Sequence, residues 1–401
     1  MKKILLLGGS AQQVIAIETA KRLGYYTVLC DFLPDNPGQY VADKFYLTST
    51  TDKEAVLSVA RIEQIDGVLA YASDPAAPTA AYVAEKMGLP TNPYTAVDTL
   101  CNKAEFREFL SNAGFNAPQC GGYSTADEAV ADVKRFNLPI IIKPVDSSGS
   151  KGVTVLHTLE HAQEALDFAF SFSRGHRIII EEYIEKKHEY LIGGDVFVVD
   201  GKITLWGLLN CHRDPAVNPL VPVGKSYPLA LGEKDMDAVK LTLQRMVDQL
   251  GIRFGAMNVE LVVDELGKVW PIDVGPRNGG NMIPDLLGLI FGVDIVEMSI
   301  KAAMGTANST TVHEGKHCFA THNLHSCKEG IFREIRFSPT IEKHIIKKCI
   351  YKKCGDPVAY FDNAAKALGI VFMKFDNERQ MHNQLNTITN EIEIVLEEES
   401  Q

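Results

Sequence analysis

The first ninety or so residues alternate short apolar runs with stretches of helical periodicity, and that alternation restricts the fold more than any other feature of the chain. ILLL, YTVLCD (ending in Asp31), KFYLT and DGVLAY read as strands. Stretches from about Ala11 to Leu23, from Lys53, and from Ala76 to Met87 read as helices. Strand–helix–strand order predicts a parallel sheet covered on both faces, because parallel neighbours need a crossover and the crossover helices lie on the sheet. The expected class is therefore α/β. Gly8-Gly9-Ser10 falls where the first strand turns into the first helix; without a full G-x-G-x-x-G it predicts a tight turn.

Composition narrows the function. A length of 401 residues allows roughly two to four domains. The net charge of −11 argues against nucleic-acid and anionic-membrane partners, which need clustered Lys and Arg. No run of about 18 apolar residues predicts a membrane span, and the apolar start is too short for a signal peptide. Eight Cys without a C-x-x-C pair read as reduced thiols in the cytoplasm. HEGKHCFATHNLHSC (His313 to Cys327) is rich in metal-ligand types, but its spacing fits no zinc pattern, and it alternates like a strand.

A boundary follows at LPTNPYTAVDTLCNKAEFREFL, with Asn92 as the expected N-cap and Pro93 at the first helical position. The next helix carries Lys103, Phe106, Phe109 and Leu110 and stops at Gly114. Two strands, NLPIIIKPV and GVTVLH, flank a Ser/Gly loop; a helix from about Leu159 to Phe172 and three strand-like runs come after. LNCHRDPAVNPLVPVGKSYPLALG, with four Pro, reads as a long loop. A helix from Asp235 to Leu250, a hairpin, a helical region to Met304, short strands and a last amphipathic helix near Glu378–Ile392 complete the reading.

Two stretches carry chemistry. In IIIKPVDSSGSKGV the backbone N–H groups of Ser148, Gly149, Ser150, Lys151 and Gly152 suit an anion-binding concavity, with Lys143 as a point charge on the strand before it. A plain hairpin turn needs fewer small and polar residues. In NVELVVDELGKVWPIDVG, a turn at Asp264–Gly267 that sets Val263 opposite Lys268 puts Val259, Leu261, Val263, Trp270, Ile272 and Val274 on one apolar face. Glu260 then faces Pro271, with Asp273 diagonal at about 7–8 Å, close enough to share a hard cation such as Mg2+. Two ordinary acids on a solvated strand face are the alternative. Arg277, in the Gly-rich stretch just beyond, suits a carboxylate or acyl-phosphate clamp.

Lys103, Lys143 before SSGSKGV, IIIEEYIEKKHEY, Glu260 and IDVGPR, in that order, resemble an ATP-grasp enzyme over roughly residues 1–310. The start of the chain, with YASDPAAPTAAYVAEKMGLP, resembles the preATP-grasp portion of the carboxylate–amine ligase branch. The resemblance implies an ATP-grasp fold with a Rossmann-like preATP-grasp domain over residues 1–98. The ATP-grasp domain would cover 99–310, its flap subdomain within 118–184, and a small α+β domain 311–401. It implies ATP on Lys103, Lys143 and the Ser/Gly flap. Backbone groups at Glu181, Glu182 and Ile184 would meet adenine, and Glu189 the ribose, with His188 near the same register. Glu260 and Asp273 would hold Mg2+, with Mn2+ as a substitute.

Lys143 and Arg277 would be catalytic. The implied reaction is carbon–nitrogen ligation through an acyl phosphate, releasing ADP and phosphate, on an amino acid or other small acid. The implied partners are small-molecule carboxylate and amine substrates, and a homodimer stays open. Asn210, His212, Arg213 and Asn281 are the candidates for the substrate side. Family members usually carry Glu where Asp273 stands and Asn where Gly275 stands, which puts a second metal position in doubt. An N5-carboxyaminoimidazole ribonucleotide synthetase-type carboxylase, a non-catalytic ATP sensor, and an NAD-dependent dehydrogenase built on Gly8–Ser10 and Asp31 are the rival expectations.

Overall fold

The computed structural model describes residues 1–147, 149–306, 312–313 and 317–397. β1 (Lys3–Leu7), α1 (Val14–Arg22), β2 (Tyr26–Asp31), β3 (Lys44–Leu47), α2 (Lys53–Glu63) and β4 (Gly67–Leu69) build a parallel sheet in the order β3-β2-β1-β4. Strand periodicity explains its two covers. Leu5, Leu7, Val28 and Cys30 point to α2 and α3 (Ala77–Met87), while Ile4, Leu6 and Leu29 point to α1. α4 (Tyr94–Cys101) starts one residue later than expected, with Pro93 at the N-cap. The Asn92 side chain does not cap it. It accepts from Arg253 N at 2.9 Å and donates to Phe254 O at 2.8 Å, pinning this module to the centre of the molecule.

α5 (Lys103–Asn112) is capped by Asn102, whose side chain accepts from Ala104 N and Glu105 N. It leads into a second module, made of β5 (Cys120–Tyr123), α6 (Ala126–Asp132), β6 (Ile140–Pro144), β7 (Thr154–Leu156), α7 (Ala162–Phe172) and β8 (Ile178–Glu182). Its antiparallel sheet runs β5-β8-β6-β7, and Ile140, Ile142, Ile178 and Ile180 pack against Ala162, Ala165, Leu166 and Ala169.

The centre begins with β9 (Leu191–Val199), β10 (Lys202–Asp214), β11 (Asn218–Tyr227), α8 (Glu233–Leu250), β12 (Gly255–Val263), β13 (Val269–Gly275), α9 (Ile283–Phe291) and α10 (Ile295–Ala303). It continues through β14 (Cys318–Leu324), β15 (Gly330–Phe337), α11 (Pro339–Glu342), β16 (Ile345–Ile350), β17 (Pro357–Val358), β18 (Gly369–Phe375), α12 (Glu378–Asn386), α13 (Ile388–Glu391) and β19 (Ile392–Glu397). Eight strands form one antiparallel sheet, β13-β12-β9-β10-β11-β14-β18-β16, and β17-β15-β19 form a small separate one. α8 covers one face of the large sheet through Val239, Leu243 and Met246; α9 and α10 cover part of the other through Leu286, Leu287 and Met298. The rest of that second face is open. The sheet crosses residue 310 without a break, since β14 pairs with β11. No described helix is long and apolar enough to cross a membrane.

Three local expectations are corrected. The four-Pro segment is not a loop but the β10–β11 hairpin, in which Val221 and Val223 are buried. Its Pro222 sits where the register shifts, at a bulge that tolerates a missing N–H donor. The β12–β13 hairpin pairs Val263 with Val269 and carries a bulge between Glu260 and Leu261, so Glu260 faces Asp273 directly rather than Pro271. The bulge also turns Trp270 and Ile272 off the core face: Trp270 donates to Asp264, and Ile272 faces the open cleft. The last helix ends at Glu391, and Ile392–Glu397 adds a strand to β15 instead.

Candidate active site: a cleft between the flap and the central sheet

A cleft of about 1370 Å³ lies on the open face of the central sheet, walled by the β6–β7 flap, the hinge after β8, and the start of the N-terminal module. Pockets for one small molecule commonly measure ~300–1,000 Å³, so this one has room for a nucleotide and a second ligand.

The flap end is cationic. Lys143 Nζ lies 2.8 Å from Glu181 Oε2, and Arg107 Nε lies 3.0 Å from Glu181 Oε1. Arg107 also donates to Ile272 O at 2.6 Å. All three side chains are buried. Two cations share one carboxylate, which leaves an excess positive charge at the cleft wall. Burial pushes the Lys143 ammonium below its ordinary pKa, and Arg107 and Lys103 add to that against the pull of Glu181. Burial pushes Glu181 up, but Arg107 and Lys143 outweigh it and hold the carboxyl low. Lys103 Nζ donates to Ser147 O at 2.7 Å and stands 3.8 Å from Asp273.

In the flap, Gly149 and Ser150 take left-handed backbone angles of +69° and +61° in succession. Ser150 Oγ donates to Leu220 O at 2.9 Å, so the flap rests on β11. Gly149, Ser150 and Lys151 line the cleft. Ser148 lies outside the described residues. Gly152 does not line the cleft: a Cβ there would stand 2.9 Å from Phe172 Cβ and Pro144 Cγ, so this glycine is required by packing beneath the flap.

At the hinge, Glu181 sits inside the ladder between β5 and β6, with its side chain committed to the cation pair. The Glu182 carboxylate accepts from Asn137 N and Nδ2, and Tyr183 N donates to Pro139 O. Ile184 follows the end of the strand, and it lines the cleft with Lys186, Glu189 and Tyr190. His188 is spent on structure: its Nε2 accepts from Val263 N at 2.9 Å and its Nδ1 is held by Tyr190 O. That leaves the exposed Glu189 as the acid facing the cleft here.

Glu260 and Asp273 are cross-strand partners at the far side, both partly exposed. Burial pushes the Asp273 carboxyl up, but Lys103, Lys143, Arg277 and Arg107 together hold it below its usual value. Arg213 reaches Glu260 at 3.4 Å. Among the described residues no group of three or more His, Cys, Asp or Glu stands together as a metal cage. Two hard carboxylates with neighbouring room fit a Mg2+ that takes its remaining ligands from phosphate oxygens and water.

Arg277 is fixed by a residue the sequence reading left without a role. Its Nε donates to Asp74 Oδ1 at 2.6 Å and its Nη2 to Asp74 Oδ2, a bidentate pair, while Nη1 donates to Asn278 O at 3.0 Å. Gly275 makes this possible: a Cβ there would lie 2.5 Å from Asp74 Oδ1 and 3.2 Å from Arg277 Nε. Asn281, with φ +52°, donates from its N–H to Gln12 Oε1 at 3.0 Å and lines the cleft.

The remaining candidates divide. Arg213 joins the site through Glu260. Asn210 is buried and donates to Ser226 Oγ and Pro228 O, which makes it a structural residue. His212 is bonded to Ser226 Oγ at 2.8 Å and lies 4.5 Å from the Tyr190 ring; burial first, then His382, Lys225 and Arg213, push its pKa down to about 3. The turn at Gly8–Ser10 is filled from within. Gly9 N donates to Asp31 Oδ2 at 2.7 Å, Leu33 N to Asp31 Oδ1, and a Cβ on Gly8 would strike Gln13. Asp31 is therefore not available to a ribose, which removes the basis of the dehydrogenase expectation.

Asp74 and Arg107 were missed because their roles exist only across modules. The one local signal is that Arg107 follows Lys103 by one helical turn on α5.

Residues 136–285 match the ATP-grasp domain family. The uncharacterized protein y4rH of Sinorhizobium fredii is 28% identical over 232 residues, 57% of this chain and 46% of that protein. The carbamoyl phosphate synthase large chain of Clostridium beijerinckii is 23% identical over 299 residues, 73% of this chain and 27% of that one. The chain thus matches less than half the length of either relative. The crystal structure of an L-amino acid ligase from Bacillus licheniformis superposes with a TM-score of 0.81 at 18% identity, covering 99% of both chains. Residues 136–285 are an ATP-grasp domain, and the chain as a whole has the ATP-grasp fold.

Proposed function

We propose that this protein is an ADP-forming ligase that uses ATP to activate the carboxylate of an amino acid or similar small acid and transfers it to an amine. The observation that carries the reading is convergence. Lys103, Lys143, Glu260, Asp273 and Arg277, scattered over more than 170 positions of sequence, line one cleft large enough for two ligands. The likeness to an amino acid ligase fold supports the same direction.

Each residue has a physical task in this reading. Lys143 and Lys103 bind phosphate oxygens as point charges, and the flap amides at Gly149–Lys151 close over them. The chain after β8, at Ile184, meets the adenine, and Glu189 the ribose. Glu260 and Asp273 would hold Mg2+, which when bound neutralises the negative charge on the β- and γ-phosphates. The acid's carboxylate oxygen bonds to the γ-phosphorus while the bond from that phosphorus to the β–γ bridging oxygen breaks, releasing ADP. The amine then attacks the acyl carbon, phosphate leaves with the bonding electrons, and the amine proton passes to water. Arg277, oriented by Asp74, steadies the acyl phosphate between these steps. In this reading the parts divide as residues 1–98, 99–310 and 311–401, with the flap within 118–184, and the last part shares the central sheet with the second through the pairing of β14 with β11.

An ADP-release assay with MgATP, pooled amino acids and, separately, bicarbonate tests this. ADP release that depends on an amino-acid pool is expected. Release that depends on bicarbonate alone would move the protein to the carboxylase class. MgATP binding without any ADP release would make it a sensor.

A further inference from the structure

Asp195, on β9, is a buried acid that takes no part in the reaction just described. It is 1% exposed and does not line the cleft, and among the described residues no lysine or arginine stands in ion-pair contact with it. A buried carboxylate without such a partner is costly unless hydrogen bonds satisfy it. Its described partners are all donors. Gly279 N donates to both oxygens, at 3.0 Å to Oδ1 and 2.8 Å to Oδ2, and Asn258 Nδ2 donates to Oδ1 at 2.9 Å. Burial pushes the carboxyl above its usual range, while Gly279, Asn258, Arg277 and Lys225 pull it down.

These bonds act on the backbone next to Arg277. The Asn278 carbonyl and the Gly279 N–H belong to one planar peptide unit, and in the trans form they point in opposite directions. Asp195 holds the N–H, and the carbonyl accepts from Arg277 Nη1 at 3.0 Å. The carbonyl before it, Arg277 O, accepts from Asn258 N at 3.0 Å, and the Asn258 side chain is the one that donates to Asp195. A Cβ on Gly279 would stand 2.7 Å from Asp195 Oδ1 and 2.8 Å from Asn258 Nδ2, so this glycine makes room for the acid. The guanidinium is thus gripped on two sides. Asp74 takes Nε and Nη2, and Nη1 meets a carbonyl that Asp195 aims. A charged acceptor on the N–H also polarises the peptide and makes its carbonyl a better acceptor.

We propose that Asp195 is a positioning residue for Arg277, acting through the peptide between Asn278 and Gly279. It touches no ligand. Asp74 fixes one edge of the guanidinium, and Asp195 fixes the chain beneath it. With both set, the uncommitted N–H groups of Arg277 keep one direction before the acyl phosphate forms. The catalytic consequence rests on the ligase reading; the relay from acid to peptide to guanidinium does not.

An amide at 195 has nearly the same size, but its own NH2 must face either Gly279 N or Asn258 Nδ2, donor against donor. In a crystal structure of Asp195→Asn, the Asn278 carbonyl should turn away from Arg277 Nη1 while the Asp74–Arg277 pair remains. In the same variant, kcat for amino-acid-dependent ADP release should fall about ten- to hundredfold, with KM for ATP within about twofold. Gly279→Ala leaves the acid in place but displaces it from the peptide, and should give both effects. A carbonyl that stays on Nη1 would overturn the relay, whatever the rate. A carbonyl that turns away with kcat unchanged would remove Asp195 from the reaction, and so would a loss confined to KM. In the unmodified sequence the Gly279 N–H should resist deuterium exchange, measured by NMR, so free exchange there would overturn the relay without any substitution. If the unmodified protein releases no ADP with any amino-acid pool, the ligase reading falls, and the crystal and exchange measurements still decide the relay.

Discussion

Lys143 sits where one side chain can serve both the fold and, in the ligase reading, a bound phosphate. It shares Glu181 with Arg107 in a fully buried triad, and its ammonium borders the cleft. Removing it should leave the fold standing, because Glu181 keeps Arg107. It should take away a charge-assisted contact worth about 1.5–3 kcal/mol, which is roughly a ten- to hundredfold loss. Lys143→Ala is therefore expected to weaken MgATP binding by that factor in a calorimetric titration, with little change in far-UV circular dichroism. Unchanged affinity would remove this lysine from the phosphate site. Its place was legible in the sequence because a lysine ending an apolar strand before a Ser/Gly loop has few other uses. Arg107 and Asp74 were not legible, because an arginine on a helix and an aspartate before a helix look ordinary until their partners arrive from other modules.

At the scale of elements, a single row crosses three strands. His212 on β10 faces Gly224 on β11, which faces His322 on β14. Burial holds both imidazoles neutral, with pKa values pushed down to about 3, and His382, Lys225, Arg213 and His325 reinforce this. The ordinary value is about 6.5, so between that pH and about 3 the unfolded chain takes up protons that the folded chain refuses. Stability contributed by the neutral forms is complete above about 6.5 and declines as pH falls. The urea midpoint is expected to drop as pH goes from 7 to 4.5, and His322→Gln should flatten that slope. A slope unchanged by the substitution would mean that the imidazole titrates freely.

Sequence periodicity revealed most of these elements, since alternation and helical spacing survive in the N-terminal module and in β9, β12 and β14. It failed at β11, where the four prolines of the surrounding segment, two of them in the strand, outweighed the alternation of Val221 and Val223. It also failed at the bulge beside Glu260, which no pattern of apolar residues announces. The bulge matters for the site, because it turns a diagonal acid pair into a direct one.

For the whole molecule, the large sheet is the frame that the three modules share. β14, β16 and β18 come from beyond residue 310, yet Phe319, Ile370 and Phe372 belong to one apolar cluster with Leu286, Leu287 and Phe291 of α9. Ending the chain at residue 310 would strip β11 of its neighbour and open that cluster to water. An exposed edge with an apolar flank is an aggregation site. The shortened chain is expected to appear as aggregates in light scattering. A soluble monomer that MgATP still stabilises would show that residues 1–310 fold without the last ninety residues.

The bidentate grip of Asp74 on Arg277 leaves no space for a side chain at position 275. An acid at 74 and a glycine at 275 should therefore be inherited together. A chain with asparagine at 275 would have to give up the acid, and with it the strap that ties the first module to the arginine.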